Sequence, residues 1–179
     1  MAGTLSATLA APVGTETPQE RLERLYAGCR DDLYAYLASL LGDRGLAEDV
    51  TALAFERAFR RRRLFNARRG SERAWLFGIA RNAALDELRR RKRTSAIVGD
   101  LPTDPWDEDG ELDAVVRRAT VRAAVAGLAP RERELIALKF HAGLSNPEIA
   151  RVLGVSESNA GTLLHRTITK LRKACDEQA

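Results

Sequence analysis

Apolar residues recur at intervals of three and four along most of the chain, and helix-capping residues divide this pattern into segments. Such spacing places the apolar side chains on one face of an α-helix. Thr17, Pro18 and Glu20 match a helix start, with Thr as the N-cap, Pro in the first turn and Glu three residues after the cap. No alternating strand pattern and no Asn-Gly hairpin signal occurs in the sequence. We therefore predict an all-α fold.

The helical segments fall into two groups that are separated by a stretch with little periodicity. This stretch, residues 94–111, contains Pro102, Pro105 and Gly110 and predicts a flexible linker. We predict a disordered tail at residues 1–17, a bundle of three to four helices at 18–93 and a second helical domain at 112–179. The expected helices cover approximately residues 18–41, 46–63, 72–93, 112–126, 131–142, 146–153 and 157–174.

Charge is segregated along the chain much more strongly than the net charge of +4 indicates. Residues 21–93 carry 18 basic and 10 acidic side chains, and residues 117–173 carry 11 basic and 4 acidic ones. Between these blocks, residues 94–116 carry seven acids and no base. Only four of the 29 basic residues are lysines, and the planar guanidinium of arginine suits phosphate and base contacts. The two basic blocks coincide with the two predicted domains, which favours nucleic acid as a partner.

Residues 146–163 have the spacing of a helix-turn-helix. Ile149 and Leu153 are apolar, and the glycine at position 154 can take the positive φ that the turn requires. The outward face of the second helix carries side chains that can hydrogen-bond base edges and phosphates in the major groove. These candidate DNA contacts are Ser158, Asn159, Thr162, His165, Arg166 and Lys170. A helical hairpin that binds no DNA remains the alternative.

Both halves together resemble bacterial RNA polymerase sigma factors of the extracytoplasmic-function (ECF) type, over about residues 18–93 and 117–174. The residues that carry the resemblance are Ala47-Glu48-Asp49-Val50-Thr51, Phe55, Phe59, Asp86, the segment from Arg73 to Asn82, the segment from Gly127 to Arg133, and Leu164-His165-Arg166. The resemblance implies a region 2 domain at 18–93 and a region 4 domain at 112–179, joined by the acidic linker.

The resemblance also implies a role for each surface. The helix that carries Glu48, Asp49, Ala52, Leu53 and Glu56 would dock on the clamp coiled coil of core RNA polymerase. The helix-turn-helix would read the −35 promoter element. The residues that would hold the melted −10 element are Asn66, Arg68, Arg69, Arg73, Trp75, Arg81, Asn82, Arg89 and Arg90.

The residue types around the third predicted helix agree with single-strand binding. Aromatic rings next to arginines offer flat faces and positive charge, and base–aromatic stacking contributes roughly 1–3 kcal/mol per base. Trp75 and Phe77 also fit a core position, because they lie at helical spacing with Leu76 and Ile79. The arginine runs at 60–63 and 89–93 also fit solvated helix ends. These alternatives stay open at the level of sequence.

Two departures from the family pattern stand out. Ala52-Leu53 lies where the family usually has Gln-Glu or Ala-Glu, which removes a polar contact from the polymerase-binding helix. Gly161 and Leu163 lie where the recognition helix usually carries basic residues. Glycine costs roughly 0.8–1 kcal/mol relative to alanine inside a helix.

The most consistent function is a promoter-specificity subunit that binds core RNA polymerase, reads both promoter elements, helps to melt the −10 region and is controlled by an anti-sigma factor. Two alternatives remain: a sigma-like mimic that sequesters an anti-sigma factor, and a stand-alone helix-turn-helix regulator. The sequence argues against an enzyme, a cofactor or a metal site, since His141 and His165 have no partners at suitable spacing and no glycine-rich phosphate loop occurs.

The expected compartment is the cytoplasm. Cys29 and Cys175 are far apart in sequence and fit a reducing environment. We expect no membrane insertion, because no stretch approaches the ~18 consecutive apolar residues of a membrane helix.

Overall fold

The computed structural model describes residues 17–94 and 112–177, and every regular element within these ranges is helical. The predicted all-α fold is thus confirmed for the part of the chain described. The predicted tail at 1–17 and the predicted linker at 94–111 lie outside the described residues, apart from Thr17, which caps the first helix, and Thr94, which ends the third. The helices are α1 (Pro18–Leu41), α2 (Arg44–Arg60), α3 (Glu72–Thr94), α4 (Leu112–Ala126), α5 (Pro130–Phe140), α6 (Asn146–Leu153) and α7 (Glu157–Asp176), with short 3₁₀ turns at Arg62–Leu64 and Ala67–Arg69.

Capping residues begin α1 and α6 where the sequence predicted them. The Glu20 N–H donates to Thr17 Oγ1 (3.2 Å), and the Thr17 N–H donates to Glu20 Oε2 (2.8 Å). Glu148 accepts in the same way from the N–H of Ser145 (2.9 Å) at the start of α6. These reciprocal bonds satisfy backbone donors that have no partner inside the helix.

The bounds of α2 differ from the prediction by two to three residues at each end. Asp43 accepts a hydrogen bond from the Leu46 N–H (3.0 Å), so the helix begins at Arg44 rather than at residue 46. It ends at Arg60 rather than at residue 63, because Arg62 folds back to donate to the Phe59 carbonyl (2.9 Å). That bond satisfies a carbonyl at the helix end and leads into the 3₁₀ turn.

Helix α5 also ends earlier than expected, at Phe140 instead of residue 142. Gly143 adopts φ +62°, and the Leu144 N–H donates back to the Leu138 carbonyl (3.1 Å). A glycine in the left-handed region turns the chain back, so that the N–H groups that follow can bond the carbonyls left free by the last helical turn.

Helices α1, α2 and α3 form the N-terminal half, residues 17–94, around a core of large side chains. Tyr36 and Leu37 on α1 and Phe77 on α3 have no exposed surface, and the rings of Tyr36 and Phe77 lie 5.5 Å apart. Phe77 is therefore a core residue, which settles the alternative that the sequence left open for it.

Helices α4 to α7 form the C-terminal half, residues 112–177, and α6 and α7 adopt the helix-turn-helix. Ile149 and Ala150 on α6 are buried, as are Ala160 and Leu164 on α7. Between the two helices Gly154 has φ +69° and ψ +35°, the left-handed conformation that the turn required.

The two halves share one hydrophobic core. Helix α5 packs on α1, and α6 packs on α3. Leu138 on α5 and Ile149 on α6 are fully buried in the same cluster as Tyr36 and Phe77. The two groups of helices predicted from sequence are therefore in direct contact in this structure.

The two glycines of the helix-turn-helix have opposite expected effects when replaced by alanine. Gly154→Ala forces an L residue into the left-handed region, so we expect the free energy of unfolding to fall by about 1–2 kcal/mol. Gly161→Ala adds helix propensity inside α7, and the new Cβ would meet only Asn146 Nδ2 at 3.8 Å. We expect a gain of roughly 0.8–1 kcal/mol. Urea unfolding of both variants measures the difference, and effects of the same sign would contradict this account.

Candidate nucleic-acid interfaces

The predicted recognition face on α7 is open. Its inward stripe of Ala160, Leu164 and Thr167 is buried against the rest of the C-terminal half. The helix periodicity therefore turns the six candidate DNA contacts toward solvent, and all six are exposed: Ser158, Asn159, Thr162, His165, Arg166 and Lys170. The structure brings this predicted set together on one helix.

Two of the six side chains are already engaged within the protein. The Thr162 hydroxyl donates to the Ser158 carbonyl (2.9 Å), which leaves its oxygen as an acceptor for a base amino group. Lys170 Nζ pairs with Glu132 Oε2 at 2.8 Å, and this bond, together with the Ala129 N–H, holds the pKa of the Glu132 carboxyl below its usual range. A phosphate contact by Lys170 would exchange one anionic partner for another.

Asn159 and Arg166 present an amide and a guanidinium on this face. The Asn159 N–H donates to the capping hydroxyl of Ser156 (3.2 Å), which fixes the first turn of α7 and leaves the amide side chain exposed. Arg166 has no ion-pair or hydrogen-bond partner among the described residues, so its guanidinium is available to a phosphate.

The predicted polymerase-binding face on α2 is also open. Helix α2 buries Ala47, Val50, Ala54 and Phe55 against its neighbours. The opposite side carries three exposed carboxylates and one exposed alanine, with Leu53 half-buried at its edge. The exposed residues are Glu48, Asp49, Ala52 and Glu56, and Glu56 pairs with Arg60 at 2.7 Å.

Part of the predicted −10 set surrounds a cavity of about 470 Å³ next to the 3₁₀ turns. Asn66, Arg69 and Asn82 line it with exposed polar groups, and Trp75 forms part of its wall. Asn66 accepts from the Arg68 N–H (2.9 Å) and so begins the turn that carries the exposed arginines at 68 and 69.

Trp75 belongs neither wholly to the core nor wholly to the surface. Its ring packs on Phe65 with centroids 5.5 Å apart, and the guanidinium of Arg21 lies over Phe65 at 4.8 Å. The half-buried indole also borders the cavity, which leaves part of its surface accessible.

The other arginines of the predicted −10 set have partners in this structure. Arg89 pairs with Asp86 at 3.3 Å, and Arg90 pairs with Glu87 at 2.5 Å. The Arg90 contact is also the main reason that the pKa of Glu87 lies below its usual range. The Arg89–Asp86 pair is exposed on both sides and contributes little to stability, so a phosphate could replace its carboxylate.

Arg73 and Arg81 are bound to the C-terminal half. Arg81 Nε lies 2.6 Å from Glu134 Oε1, and Arg73 Nε donates to the Ala142 carbonyl at 2.6 Å. Arg73 also pairs with Asp32. In this arrangement neither guanidinium is free to contact a nucleic acid.

The residues predicted from sequence for this region did not include Glu134. It is 7% exposed, and it accepts from Arg81 and from the Tyr36 hydroxyl (3.3 Å). Burial, followed by the Glu134 charge, raises the pKa of Tyr36, so this phenol remains a donor. One signal was available: on α5, Glu134 lies four residues before Leu138 on the buried side.

Within residues 17–94 and 112–177 we find no cluster of three or more His, Cys, Asp or Glu side chains that could hold a metal ion. The helices of these ranges also include none with the length and apolar character needed to cross a membrane.

Two family models match the chain, each over one half. The Sigma-70 region 2 model matches residues 25–94, and the Sigma-70, region 4 model matches residues 118–171.

Curated relatives extend the match across both halves. The ECF RNA polymerase sigma factor SigL of Mycobacterium tuberculosis is 32% identical, over 81% of this chain and 83% of its own length. SigX of Bacillus subtilis is 32% identical, over 87% of this chain and 84% of its own length. BldN of Streptomyces coelicolor is 33% identical, and this chain spans 61% of its length.

Solved structures share the fold. Sigma factor RpoE of Bartonella quintana, in complex with the anti-sigma factor NepR, superposes with a TM-score of 0.73 at 21% identity, over 88% of this chain and 98% of its own. CnrH, in complex with the cytosolic domain of CnrY, superposes with a TM-score of 0.65 at 25% identity, over 90% and 91% of the two chains.

Proposed function

Because the chain belongs to the ECF family of RNA polymerase sigma factors, we propose that it binds core RNA polymerase through α2, reads a −35 element through α7 and contacts the melted −10 element through the start of α3. The observation that carries this proposal is that the two predicted docking faces are both uncovered. The face of α2 presents Glu48, Asp49 and Glu56, and the face of α7 presents Asn159 and Arg166.

The −10 assignment rests on the cavity beside the 3₁₀ turns. Its lining combines amide groups from Asn66 and Asn82, a guanidinium from Arg69 and part of the Trp75 ring. Amides and guanidinium groups can hydrogen-bond an unpaired base, and an aromatic face can stack on it. A base flipped out of the duplex offers these groups its edges, and its binding there would favour the melted strand.

We propose that an anti-sigma factor controls the protein and that it acts in the cytoplasm. RpoE, which shares the fold, was solved with the anti-sigma factor NepR, and CnrH was solved with the cytosolic domain of CnrY. Core RNA polymerase and promoter DNA are the other two partners. The protein performs no covalent step itself, since nucleotide addition belongs to the polymerase.

Reversing charge on α2 tests the polymerase contact. In the double variant Glu48→Lys, Asp49→Lys, two exposed carboxylates become cations. Cations of the polymerase that pair with these carboxylates would then face like charges, which cost several kcal/mol across an interface. We expect affinity for core RNA polymerase to fall at least about 30-fold, the equivalent of about 2 kcal/mol. Fluorescence anisotropy of the labelled protein, titrated with core polymerase, measures the change.

The matched control is the double variant Glu23→Lys, Asp31→Lys, which reverses two exposed acids on α1 and so makes the same change in net charge. It should leave polymerase affinity within about twofold of the unmodified protein, a change of about 0.4 kcal/mol. Equal losses of polymerase affinity in both variants would show that net charge, and not the α2 face, causes the loss.

A further inference from the structure

Helix α3 contains a glycine that the conformation of the helix does not require. Gly78 lies in the interior of this helix, which runs from Glu72 to Thr94. Its backbone is α-helical, so the residue does not need the positive φ that glycine adopts freely. Glycine also weakens a helix interior relative to alanine, because it loses more backbone freedom on folding. A reason for this glycine must therefore lie outside the helix itself.

Close packing does not account for Gly78 either. A Cβ built at this position would meet no heavy atom of the described residues within 4 Å, apart from its chain neighbours and the backbone of its own helix. Helix α6 packs on α3, and Arg151 and Val152 of α6 border the neighbouring cavity, yet neither side chain reaches this point. The missing side chain therefore leaves free space and does not make room for another helix.

The free space over Gly78 belongs to the cavity of about 470 Å³ beside the 3₁₀ turns. Trp75, three residues earlier, and Asn82, four residues later, line the same cavity. Residues at these spacings share one face of a helix. With a rise of 1.5 Å per residue, Trp75 and Asn82 are separated by about 10 Å along the helix axis, and Gly78 lies between them.

The groups on either side of this gap suit a nucleobase. Trp75 is half-buried and offers part of an aromatic face, and the exposed Asn82 offers an amide. Asn66 and Arg69 add a second amide and a guanidinium from the 3₁₀ turn. A base that enters the cavity can stack on the aromatic face, and the missing Cβ lets the nucleotide approach the backbone of α3 closely.

From these observations we propose that Gly78 is the point at which an unpaired nucleotide of the −10 element lies against helix α3, between Trp75 and Asn82. The proposal rests on the proposed function of this surface and adds a positioning residue to it. Gly78 offers no side-chain group to the nucleotide. It admits the nucleotide to a depth that a larger residue would block, so a glycine that weakens the helix strengthens the binding of the melted strand.

The variants Gly78→Ala and Gly78→Leu test this role. Both residues favour a helix more than glycine does, and the cavity has space for either side chain. We expect the midpoint of urea unfolding of Gly78→Ala to be no lower than that of the unmodified protein. A lower midpoint would show that the glycine serves the packing of the protein and would contradict the proposal.

DNA binding is measured by fluorescence anisotropy with the holoenzyme and a labelled fragment that the unmodified holoenzyme transcribes. The −10 segment of this fragment is held open by mismatched bases. We expect the affinity to fall about tenfold in Gly78→Ala, because the added methyl group displaces the stacked base, and further in Gly78→Leu. Affinity for a duplex that carries only the −35 element should not change.

The matched controls are Gly28→Ala and Gly28→Leu on α1. The backbone of Gly28 is also helical, and a Cβ there would likewise meet nothing within 4 Å among the described residues, but Gly28 is exposed. These variants add the same side chains to a helix and should leave the affinity for both fragments within about twofold. The comparison separates the blocking of the cavity from the stiffening of a helix.

Equal affinities of the Gly78 and Gly28 variants for the open fragment would overturn the role of Gly78. An equal loss for the open fragment and the −35 duplex would also overturn it, because the −10 surface would not be the cause. If the unmodified protein supports transcription while the Gly78 variants bind normally, only this role is wrong. If the unmodified protein supports none, the assignment of the −10 surface fails, and the role of Gly78 fails with it.

Discussion

Replacing Phe77 by alanine is expected to lower the free energy of unfolding by about 3–5 kcal/mol. Phe77 has no exposed surface, its ring lies 5.5 Å from that of Tyr36, and the Arg73 guanidinium lies 5.3 Å from its centre. The truncation removes apolar contacts and leaves a cavity where α1 and α3 meet. Domains of this size are stable by only about 5–15 kcal/mol, so much of the stability would be lost.

Phe140→Ala is the matched control for this loss. Phe140 is 63% exposed at the end of α5, and its removal should change stability by no more than about 0.5 kcal/mol. Urea unfolding followed by far-UV circular dichroism compares the two variants. If Phe77→Ala lowers the free energy of unfolding no more than the control does, Phe77 is not a core residue and its ring is available to DNA.

Asn159→Ala and Arg166→Ala are expected to weaken promoter binding in two different ways. An exposed amide can form two hydrogen bonds with one base, so its loss should cost roughly 1–3 kcal/mol at one base pair of the −35 element and relax specificity there. We propose that Arg166 contacts a phosphate, so its loss should weaken binding to all sequences and reduce the slope of log K against log salt by about 0.9.

Holoenzyme affinity for a promoter duplex, measured over a salt series and with single substitutions in the −35 element, separates the two effects. Arg172→Ala is the control, since it removes an exposed arginine further along α7. If Arg172→Ala lowers the salt slope as much as Arg166→Ala, the recognition face is not where we assign it. Unchanged discrimination by Asn159→Ala would remove that residue from base contact.

The local parts of the fold were predictable because their signals lie close together in sequence. The reciprocal bonds of Thr17 with Glu20 and of Ser145 with Glu148 join residues three apart, and Gly154 occupies a turn that demands a positive φ. Helix ends were less predictable. The end of α2 depends on Arg62 folding back onto Phe59, a side-chain choice that residue types alone do not determine.

The packing of the two halves was not predictable from these signals. It depends on Glu134 meeting Arg81, which is 53 residues earlier in the chain, and on Tyr36, which is 98 residues earlier. Charge counting treated Glu134 as one acid within a basic block. The pairing of a particular carboxylate with a particular guanidinium is a property of the assembled core, and helical periodicity does not specify it.

The candidate interfaces show the same difference between what local sequence signals predict and what tertiary contacts determine. Periodicity fixes which face of an amphipathic helix meets solvent, so the six α7 residues were predicted as one exposed set and the structure presents them so. The predicted −10 residues come from turns and from a helix at the boundary between the halves. Their availability depends on tertiary contacts, and Arg73 and Arg81 are bound where sequence alone suggested free guanidinium groups.

Run-off transcription with purified core RNA polymerase and a library of genomic fragments tests the central claim most directly. We predict discrete transcripts from a small subset of fragments when the protein and core polymerase are both present, and none of these with either alone. Duplex binding without polymerase and no transcripts would indicate a stand-alone regulator. No transcripts from any fragment, together with tight binding to an anti-sigma factor, would indicate a mimic and would contradict the account.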